Sequence, residues 1–382
     1  MRLGILTGTF NPIHMGHMAL CDAARTAFRL DRVVLVPAGE SPLRRGAAPA
    51  KDRLRMARLA ADDVPYLAVS TLETDAGGFV FSADTVEKLA ADFPGAELFF
   101  LVGSDTLLTL KSWVRSDALV ARCGIVCLAR DGETDAAALS AKRLNDRFPS
   151  ASVTVLDAPG AAVSGTCIRE RMLAAKPIAG LVPPSVERYL YESGLYYPGE
   201  LRTLQTLLKA RIRPHRYVHT MGVVRTAADL AERWGCDPGQ ARLAALLHDC
   251  AKYLDPCTLE TEAGDDTEIR PVYHAFAGAV EAKNRFGVTD EAVLRAIRRH
   301  TTGESNMSVL DCVTYLADMI EPNRDYPGVE ELRELIGDDP FEATLRAMEH
   351  TLEHVSAGGE THPASIRAYH WLKARSDRTF PV

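Results

Sequence analysis

The chain has 382 residues, of which 47% are hydrophobic and 25% are charged, and its formal net charge is −7. This length fits about two domains, and the composition excludes a disordered chain. The excess of acidic residues excludes broad non-specific binding of nucleic acid, because such binding needs an excess of Lys and Arg.

Short apolar runs alternate with amphipathic segments from Met1 to about Tyr197. The predicted strands are Leu3–Leu6, Val33–Pro37, Leu67–Ser70, Leu98–Val102, Gly124–Leu128 and Val153–Leu156. The predicted helices between them lie near 15–29, 51–62, 83–92, 137–148 and 165–174. Strands that are apolar throughout are typical of a parallel sheet buried on both faces. The alternation therefore predicts a Rossmann-like, doubly wound α/β sheet.

Helical periodicity alone continues after the Tyr-Tyr-Pro-Gly segment at 196–199. The predicted helices lie near 200–211, 215–234, 239–249, 272–286, 290–300, 306–320, 328–337, 340–355 and 363–375. No convincing strand pattern occurs from Glu200 onward. The sequence thus predicts two domains, an α/β domain over 1–197 and an all-α domain over 200–382.

The first predicted strand leads into a segment suited to phosphate, TGTFNPIHMGH at residues 7–17. A strand end followed by a helix N-terminus presents backbone N–H groups to an anion. Gly8 lets the backbone approach phosphate oxygens closely. Since His14 and His17 are three residues apart on one helical turn, both imidazoles can donate to a phosphate chain.

A second helix start, in VSGTCIR at residues 163–169, adds further phosphate donors. Ser164 and Thr166 open this helix with backbone N–H and hydroxyl groups. Arg169 follows one turn later and can fork onto a leaving pyrophosphate. A plain capped helix is the alternative interpretation of this motif.

These runs resemble the signature motifs of the nucleotidylyltransferase superfamily, and GTFNPIHMGH resembles that of the nicotinate-mononucleotide adenylyltransferases in particular. Gly103-Ser104-Asp105 followed by Trp113 resembles the family's GxD…W segment, whose aromatic ring packs on the pyridine base. FSADT at 81–85 resembles the YTxDT segment, which meets the nicotinate carboxylate. The resemblance implies AMP transfer from ATP, with Mg²⁺, to nicotinate mononucleotide, a step of NAD biosynthesis that releases pyrophosphate.

The same resemblance implies the site residues of the first half. The implied catalytic residues are His14, His17, Thr166 and Arg169. The implied nucleotide contacts are Gly8, Thr9, Phe10, Arg44, Ser82, Gly103, Asp105, Trp113 and Ser164. One loop departs from the family pattern: where the family has Pro-Pro-His-Lys, this chain has Ser-Pro-Leu-Arg at 41–44, so Leu43 replaces the histidine and Arg44 replaces the lysine. Arg and Lys hold phosphates differently.

Five predicted helices of the second half each bring a histidine or an aspartate. The residues are His219, His248 with Asp249, His274, His300 and Asp318. Burying these groups without partners is costly, and a metal centre would satisfy them. Two imidazoles and two carboxylates suit one hard or borderline ion, and two more histidines extend the site to a second ion about 3.5–4 Å away.

The order of these residues resembles that of the HD-domain phosphohydrolases. HDCAK, RRHTTG and YLADMIEPNRDYPGVEELR further resemble the bacterial HD-domain symmetrical diadenosine-tetraphosphate hydrolases, over about 205–372. The resemblance implies that His219, His248, Asp249 and Asp318 hold one metal, that His274 and His300 complete a second, and that Asp249 is also catalytic. Lys252 and Arg324 are implied phosphate contacts.

The implied reaction is cleavage of diadenosine tetraphosphate to two ADP. It uses one or two divalent ions, with iron the first expectation and manganese, zinc or nickel open by geometry. Three alternatives stay open: nicotinamide mononucleotide as the first substrate, another nucleotide phosphoester or pyrophosphate as the second, or one half that only senses nucleotide.

The sequence also predicts a cytoplasmic location. The first ten residues lack the basic and apolar regions of a signal peptide, and no apolar run reaches the roughly 18 residues of a membrane span. The eight cysteines form no CxxC pair, which favours buried thiols in a reducing compartment. We therefore expect no membrane and no nucleic-acid partner, while homo-oligomer formation stays open.

Overall fold

The computed structural model describes residues 1–39, 46–129, 132–157, 163–254, 270–355 and 361–379. The chain forms two compact units. The first comprises Met1–Glu170 with Ile178–Tyr189, and the second comprises Arg171–Pro177 with Leu190–Val382. None of the described helices combines the length and the apolar character that crossing a membrane requires.

Six strands and eight helices occupy the described part of residues 1–193. The strands are β1 Arg2–Gly8, β2 Arg32–Pro37, β3 Leu67–Val69, β4 Glu97–Gly103, β5 Gly124–Ala129 and β6 Val153–Asp157. The helices are α1 Met15–Phe28, α2 Ala50–Ala61, α3 Ser82–Asp92, α4 Ser104–Leu110, α5 Ser116–Arg122, α6 Thr134–Arg147, α7 Gly165–Leu173 and α8 Pro184–Ser193. Each of the six predicted strands is present.

The strands form one parallel sheet in the order β3-β2-β1-β4-β5-β6. This order confirms the predicted doubly wound α/β fold. The central strands are almost entirely buried, because helices cover both faces of such a sheet. Strands β2 and β3 follow β1 on one side of the sheet, and β4, β5 and β6 follow it on the other. The strand order therefore reverses between β1 and β4, and such a reversal leaves a crevice at the carboxyl ends of the strands.

Helices α4, α5 and α8 do not appear among the predicted elements. Helices α4 and α5 have only seven residues each, which is shorter than the window of 11 or more residues that helical periodicity needs. Helix α4 also contains serine and threonine, which have low helix propensity. Helix α8 begins at Pro184, and proline is compatible with the first position of a helix although it also marks loops.

The described residues of the second unit form helices joined by loops and no strand. Its helices are α9 Gly199–Lys209, α10 Pro214–Trp234, α11 Pro238–Leu247, α12 Arg270–Asn284, α13 Glu291–Arg299, α14 Val309–Ile320, α15 Val329–Glu334, α16 Pro340–Val355 and α17 Pro363–Thr379. The predicted all-α fold is thus confirmed. Helix α14 begins later than the predicted 306 because Ser308 caps it, forming reciprocal hydrogen bonds with Asp311.

Arg53 on α2 ties together the loops at the carboxyl edge of the sheet. Its side chain is buried, with 1% exposed, and its guanidinium donates to four backbone carbonyls. The acceptors are Thr9 at 2.9 Å, Ala38 at 2.6 Å, Gly39 at 3.1 Å and Ala48 at 2.8 Å. The rigid fork of arginine matches several acceptors at once. Arg53 therefore joins the loops that follow β1 and β2.

We expect Arg53→Met to lower the free energy of unfolding of the first unit by about 3 kcal/mol, because buried carbonyls lose their donors. Arg53→Lys should fall between this variant and the wild type. The measurement is urea unfolding followed by hydrogen exchange of the β1 and β2 amides, which reports the first unit separately. Exposed Arg58 on the same helix provides the control, since Arg58→Met should change stability by less than about 0.5 kcal/mol. Equal effects of the methionine variants would contradict this role of Arg53.

Candidate active sites

The first unit contains a cavity of about 1130 Å³ at the carboxyl edge of its sheet. The ends of β1 and β4 and the starts of α1, α3 and α7 contribute to its lining. The predicted site residues that line it are Gly8, Thr9, Phe10, His14, His17, Ser82, Gly103, Asp105, Trp113, Ser164, Thr166 and Arg169. Arg44 and Leu43 lie outside the described residues. Parallel strands thus bring together residues that are far apart in the sequence.

His17 is held in one tautomer at the first turn of α1. Its Nδ1 accepts the backbone N–H of His14 at 3.1 Å, so the ring proton of the neutral imidazole lies on Nε2. The ring also packs against the ring of His14, with centroids 3.7 Å apart, and against the edge of Phe10 at 5.1 Å. These contacts make Nε2 a fixed hydrogen-bond donor.

The start of α7 lies against the loop that follows β1. Arg169 donates to the carbonyl of Asn11 at 2.7 Å and to Thr166 Oγ1 at 3.0 Å. A Cβ atom at Gly165 would lie 2.9 Å from the same Asn11 oxygen, so only glycine permits this approach. The N-termini of α1 and α7 therefore face one cavity, and both attract anions.

Thr9 supplies a further polar group to this cavity. Its Oγ1 is buried and has no hydrogen-bond partner within the described ranges. Buried hydroxyls are normally paired, and a bound phosphate would satisfy this one. Asn11 and Arg53 were not among the predicted site residues. Asn11 lies inside the first motif, whereas Arg53 carries no local sequence signal.

The opposite wall of the cavity is aromatic. Trp113 packs edge-on against Phe100, with ring centroids 6.4 Å apart, and its Nε1 donates to Thr109 at 3.3 Å. Phe79 and Phe81 form an edge-to-face pair whose centroids are 5.0 Å apart. This wall can pack against a planar base.

Ser82 begins α3 beside the aromatic wall. The free N–H groups of a helix's first turn favour a carboxylate. Asp84 lies in the same turn and would oppose such an anion. Its charge is offset because Arg115 pairs with both Asp84 and Glu87.

In the second unit the predicted metal ligands converge. The closest pairs are His219 Nε2 with Asp318 Oδ1 at 3.0 Å, His274 Nε2 with Asp249 Oδ1 at 3.1 Å, and His248 Nε2 with Asp249 Oδ2 at 3.3 Å. His300 Nε2 lies 3.8 Å from Asp249 Oδ1. Helices α10, α12 and α14, together with the ends of α11 and α13, therefore bring all six side chains to one place.

Two groups of three ligand atoms lie close enough to hold an ion. They are His219, His248 and Asp318, and His248, Asp249 and His300, with all ligand atoms of a group within 4.8 Å of one another. His248 belongs to both groups. His274 approaches Asp249 rather than joining either group. Helix α11 ends at Leu247, so the adjacent His248 and Asp249 leave regular helix geometry and face the same centre.

The donor set fits a divalent metal. The Nε2 atoms of His219, His248 and His300 and the Oδ1 atom of Asp249 are buried, and the polar groups nearest to them in the described part of the chain are the other imidazoles and carboxylates of this cluster. His248 Nδ1 lies 2.7 Å from the Ala245 carbonyl, and His300 Nδ1 lies 2.7 Å from that of Ile297. Donation from Nδ1 leaves the Nε2 lone pair directed at the centre. Imidazole and carboxylate ligands suit manganese, iron, zinc and nickel.

The ionisation states also suit metal binding. Burial opposes ionisation of Asp318, but hydrogen bonding to His219 and the neighbouring side chains of His248 and Arg324 hold its pKa well below the usual range. The pKa of Asp249 is likewise well below its usual range, since its interactions with His248 and His274 outweigh burial. Burial, together with the neighbouring histidines, lowers the pKa of His300 to about 3. His300 is therefore neutral, as a ligand must be.

Three cations surround the two carboxylates. Arg216 NH1 lies 2.8 Å from Asp249 Oδ2, and Lys252 Nζ lies 3.8 Å from Asp249 Oδ1. Arg324 NH2 lies 2.5 Å from Asp318 Oδ1. Arg216 was not among the predicted site residues, although it precedes His219 by three positions and so shares a helix face with it.

Two family models match the chain. The cytidylyltransferase-like model matches residues 5–171, and the HD-domain model matches residues 216–323. The chain is 35% identical over 209 residues to a probable nicotinate-nucleotide adenylyltransferase of Thermoanaerobacter sp. (strain X514), covering 52% of this chain and 96% of that protein.

Other relatives match the second half or most of the chain. The symmetrical bis(5'-nucleosyl)-tetraphosphatase of Bacillus subtilis is 36% identical over 177 residues, covering 44% of this chain and 95% of that protein. A probable nicotinate-nucleotide adenylyltransferase/Ap4A hydrolase of Mycoplasma pneumoniae is 31% identical over 334 residues. This match covers 84% of this chain and 88% of that protein.

Proposed function

This chain belongs to the family of nicotinate-nucleotide adenylyltransferase/Ap4A hydrolase proteins, and from that premise we propose how its two units act. It is a bifunctional enzyme. It transfers AMP from ATP to nicotinate mononucleotide, giving nicotinate adenine dinucleotide and pyrophosphate in NAD biosynthesis, and it hydrolyses diadenosine tetraphosphate symmetrically. The facing N-termini of α1 and α7 support the first activity, and the buried cluster of four histidines and two aspartates supports the second.

Adenylyl transfer needs no protein nucleophile. A phosphate oxygen of the mononucleotide attacks the α-phosphorus of ATP in line, and pyrophosphate leaves. Positioning and charge stabilisation then account for most of the catalysis. His17 donates from Nε2 to the phosphate chain, and Arg169 with Thr166 holds the departing pyrophosphate. His14 orients His17, and Mg²⁺ accompanies ATP.

The aromatic wall holds the nicotinate ring. Trp113 packs on the pyridine base, and Gly103 lets the backbone approach it. The first turn of α3, with Ser82, donates to the nicotinate carboxylate. The pairing of Arg115 with Asp84 weakens the repulsion between Asp84 and this carboxylate.

In the second unit His219, His248, Asp249, His274, His300 and Asp318 hold one or two divalent ions. Such ions neutralise phosphoryl charge and lower the pKa of water. Lys252, Arg324 and Arg216 bind phosphate oxygens of the substrate beside the carboxylates they contact. Cleavage at an inner phosphate then yields two ADP.

His17→Ala should lower kcat for nicotinate adenine dinucleotide formation by about 10²–10³, the usual cost of losing a preorganised donor. Hydrolysis of diadenosine tetraphosphate by the same preparation should not change, because it occurs in the second unit, and amide exchange of β1 and β2 serves as the folding control for the first unit. His17→Gln keeps a donor near the position of Nε2 and should retain more activity than His17→Ala. A normal kcat in the alanine variant would remove His17 from the mechanism.

The first unit should prefer nicotinate over nicotinamide mononucleotide in kcat/KM, because donors built for a carboxylate stay unpaired against an amide. Ser82→Ala should reduce this preference by about tenfold, the loss of one hydrogen bond to a charged group. Initial rates with both mononucleotides at saturating ATP measure the ratio. Equal kcat/KM values in the wild type would refute the preference.

Asp249→Asn and Asp318→Asn should each lower metal content together with hydrolysis of diadenosine tetraphosphate, because an amide keeps the shape but removes the ligand charge. Metal analysis and product chromatography measure both effects, and the wild type should release only ADP. Adenylyl transfer by the same variants should stay normal. Preserved metal and turnover in either variant would contradict the ligand assignment, whereas AMP plus ATP as products would contradict symmetric cleavage.

A further inference from the structure

Glu321 lies directly behind one of the candidate metal ligands. Its Oε1 lies 3.0 Å from His219 Nδ1, and its side chain is 1% exposed. Its Oε2 accepts two further hydrogen bonds, from the backbone N–H and from the side-chain Nδ2 of Asn323, both at 2.8 Å. Hydrogen bonds to both oxygens therefore fix the orientation of the carboxylate, and Oε1 faces His219.

The backbone of α10 makes room for this carboxylate at Gly222. A Cβ atom there would lie 2.0 Å from Glu321 Oε2 and 3.0 Å from Asn323 Nδ2. Gly222 is one helical turn beyond His219, so it shares the face of α10 that carries the ligand. The helix can approach Glu321 closely only because residue 222 has no side chain.

His219 differs in this respect from two of its neighbours. The Nδ1 atoms of His248 and His300 face neutral backbone carbonyls, whereas that of His219 faces a carboxylate. A carboxylate behind a ligating imidazole fixes the tautomer and makes Nε2 a more basic ligand atom. The two candidate metal groups are therefore unequal, because only the first contains His219.

We propose that Glu321 is a positioning residue that makes His219, His248 and Asp318 the tighter of the two metal positions. This inference rests on the proposed metal-dependent hydrolase function. By holding Nδ1–H, Glu321 keeps the Nε2 lone pair of His219 directed at the ion. Asn323 in turn keeps the Glu321 carboxylate oriented toward His219.

The substitution Glu321→Gln tests this arrangement because an amide has only one acceptor end. If the oxygen of the glutamine faces His219, the glutamine NH₂ group faces the two donors of Asn323, and donors repel one another. If its oxygen faces Asn323, its NH₂ group meets Nδ1, which moves the ring proton to Nε2, where it blocks metal binding. Either outcome weakens the first position without changing the size of the side chain.

Mn²⁺ binding to the full chain, measured by calorimetry after removal of metal, gives the affinity of each position. We expect Glu321→Gln to weaken the tighter Mn²⁺ position by about 10–100-fold, the usual effect of losing such a partner. The weaker position should change by less than about twofold. Glu281→Gln provides the matched control, since Glu281 is also buried but pairs with Arg211 and Arg285, and it should leave both affinities unchanged.

A second pair of variants separates positioning from general damage. Asn323→Asp alone places a second carboxylate against Oε2 and should also weaken the tighter position. In the double variant, which combines Asn323→Asp with Glu321→Gln, the carboxylate introduced at position 323 accepts from the glutamine NH₂. Only the backbone N–H of residue 323 then still opposes this NH₂ group, so the glutamine oxygen can face His219. We expect the double variant to recover part of the Mn²⁺ affinity that Glu321→Gln loses.

Unchanged Mn²⁺ affinity in a folded Glu321→Gln protein, equal weakening of both positions, or no recovery in the double variant would each overturn the role of Glu321. If Glu321→Gln does not fold, Asn323→Asp decides, because unchanged tight binding there would also overturn it. Failure of the proposed function gives a different result, since the wild type would then bind no Mn²⁺ and would not hydrolyse diadenosine tetraphosphate.

Discussion

Buried polar atoms require hydrogen-bonding partners or metal ions. The second unit brings many buried polar atoms to one place, where the described residues supply too few such partners. Three imidazole Nε2 atoms and one carboxylate oxygen meet there, buried, with the other imidazoles and carboxylates of the cluster as their nearest polar neighbours. Leaving such groups unpaired is costly in a low-dielectric interior. The helices that carry them are held together by their apolar faces, and this packing stabilises a centre whose donor set fits a divalent metal ion. Metal binding at these residues would therefore be linked to folding of this unit.

The surroundings of that centre determine how it can act. Backbone carbonyls orient His248 and His300, while Glu321 orients His219. Arg216, Lys252 and Arg324 balance the two carboxylates and leave the site suited to a polyphosphate. The chain as a whole has a charge of −7, so its attraction for anions is local to such sites rather than a property of its surface.

The first unit meets a similar substrate by other means. It presents backbone N–H groups at two helix starts, with one imidazole and one guanidinium beside them. Arg53 stabilises this arrangement because it donates to the carbonyls of the loops that follow β1 and β2. The first unit thus relies on backbone N–H donors and side-chain cations, whereas the second unit relies on side chains that fit metal ions. Both provide fixed charges for phosphoryl groups.

The sequence alone determined the strands, most helices, both fold classes and the residue types of both candidate sites. Apolar runs such as Val33–Pro37 and motifs such as residues 7–17 are local patterns, so they can be recognised in the sequence itself. Only the tertiary structure revealed Arg53, Asn11, Arg216 and Glu321. Their roles depend on contacts between distant segments, such as the 102 residues that separate His219 from Glu321. Such contacts follow from how helices and strands pack, and local periodicity carries no information about which distant side chain will meet a given imidazole or carbonyl.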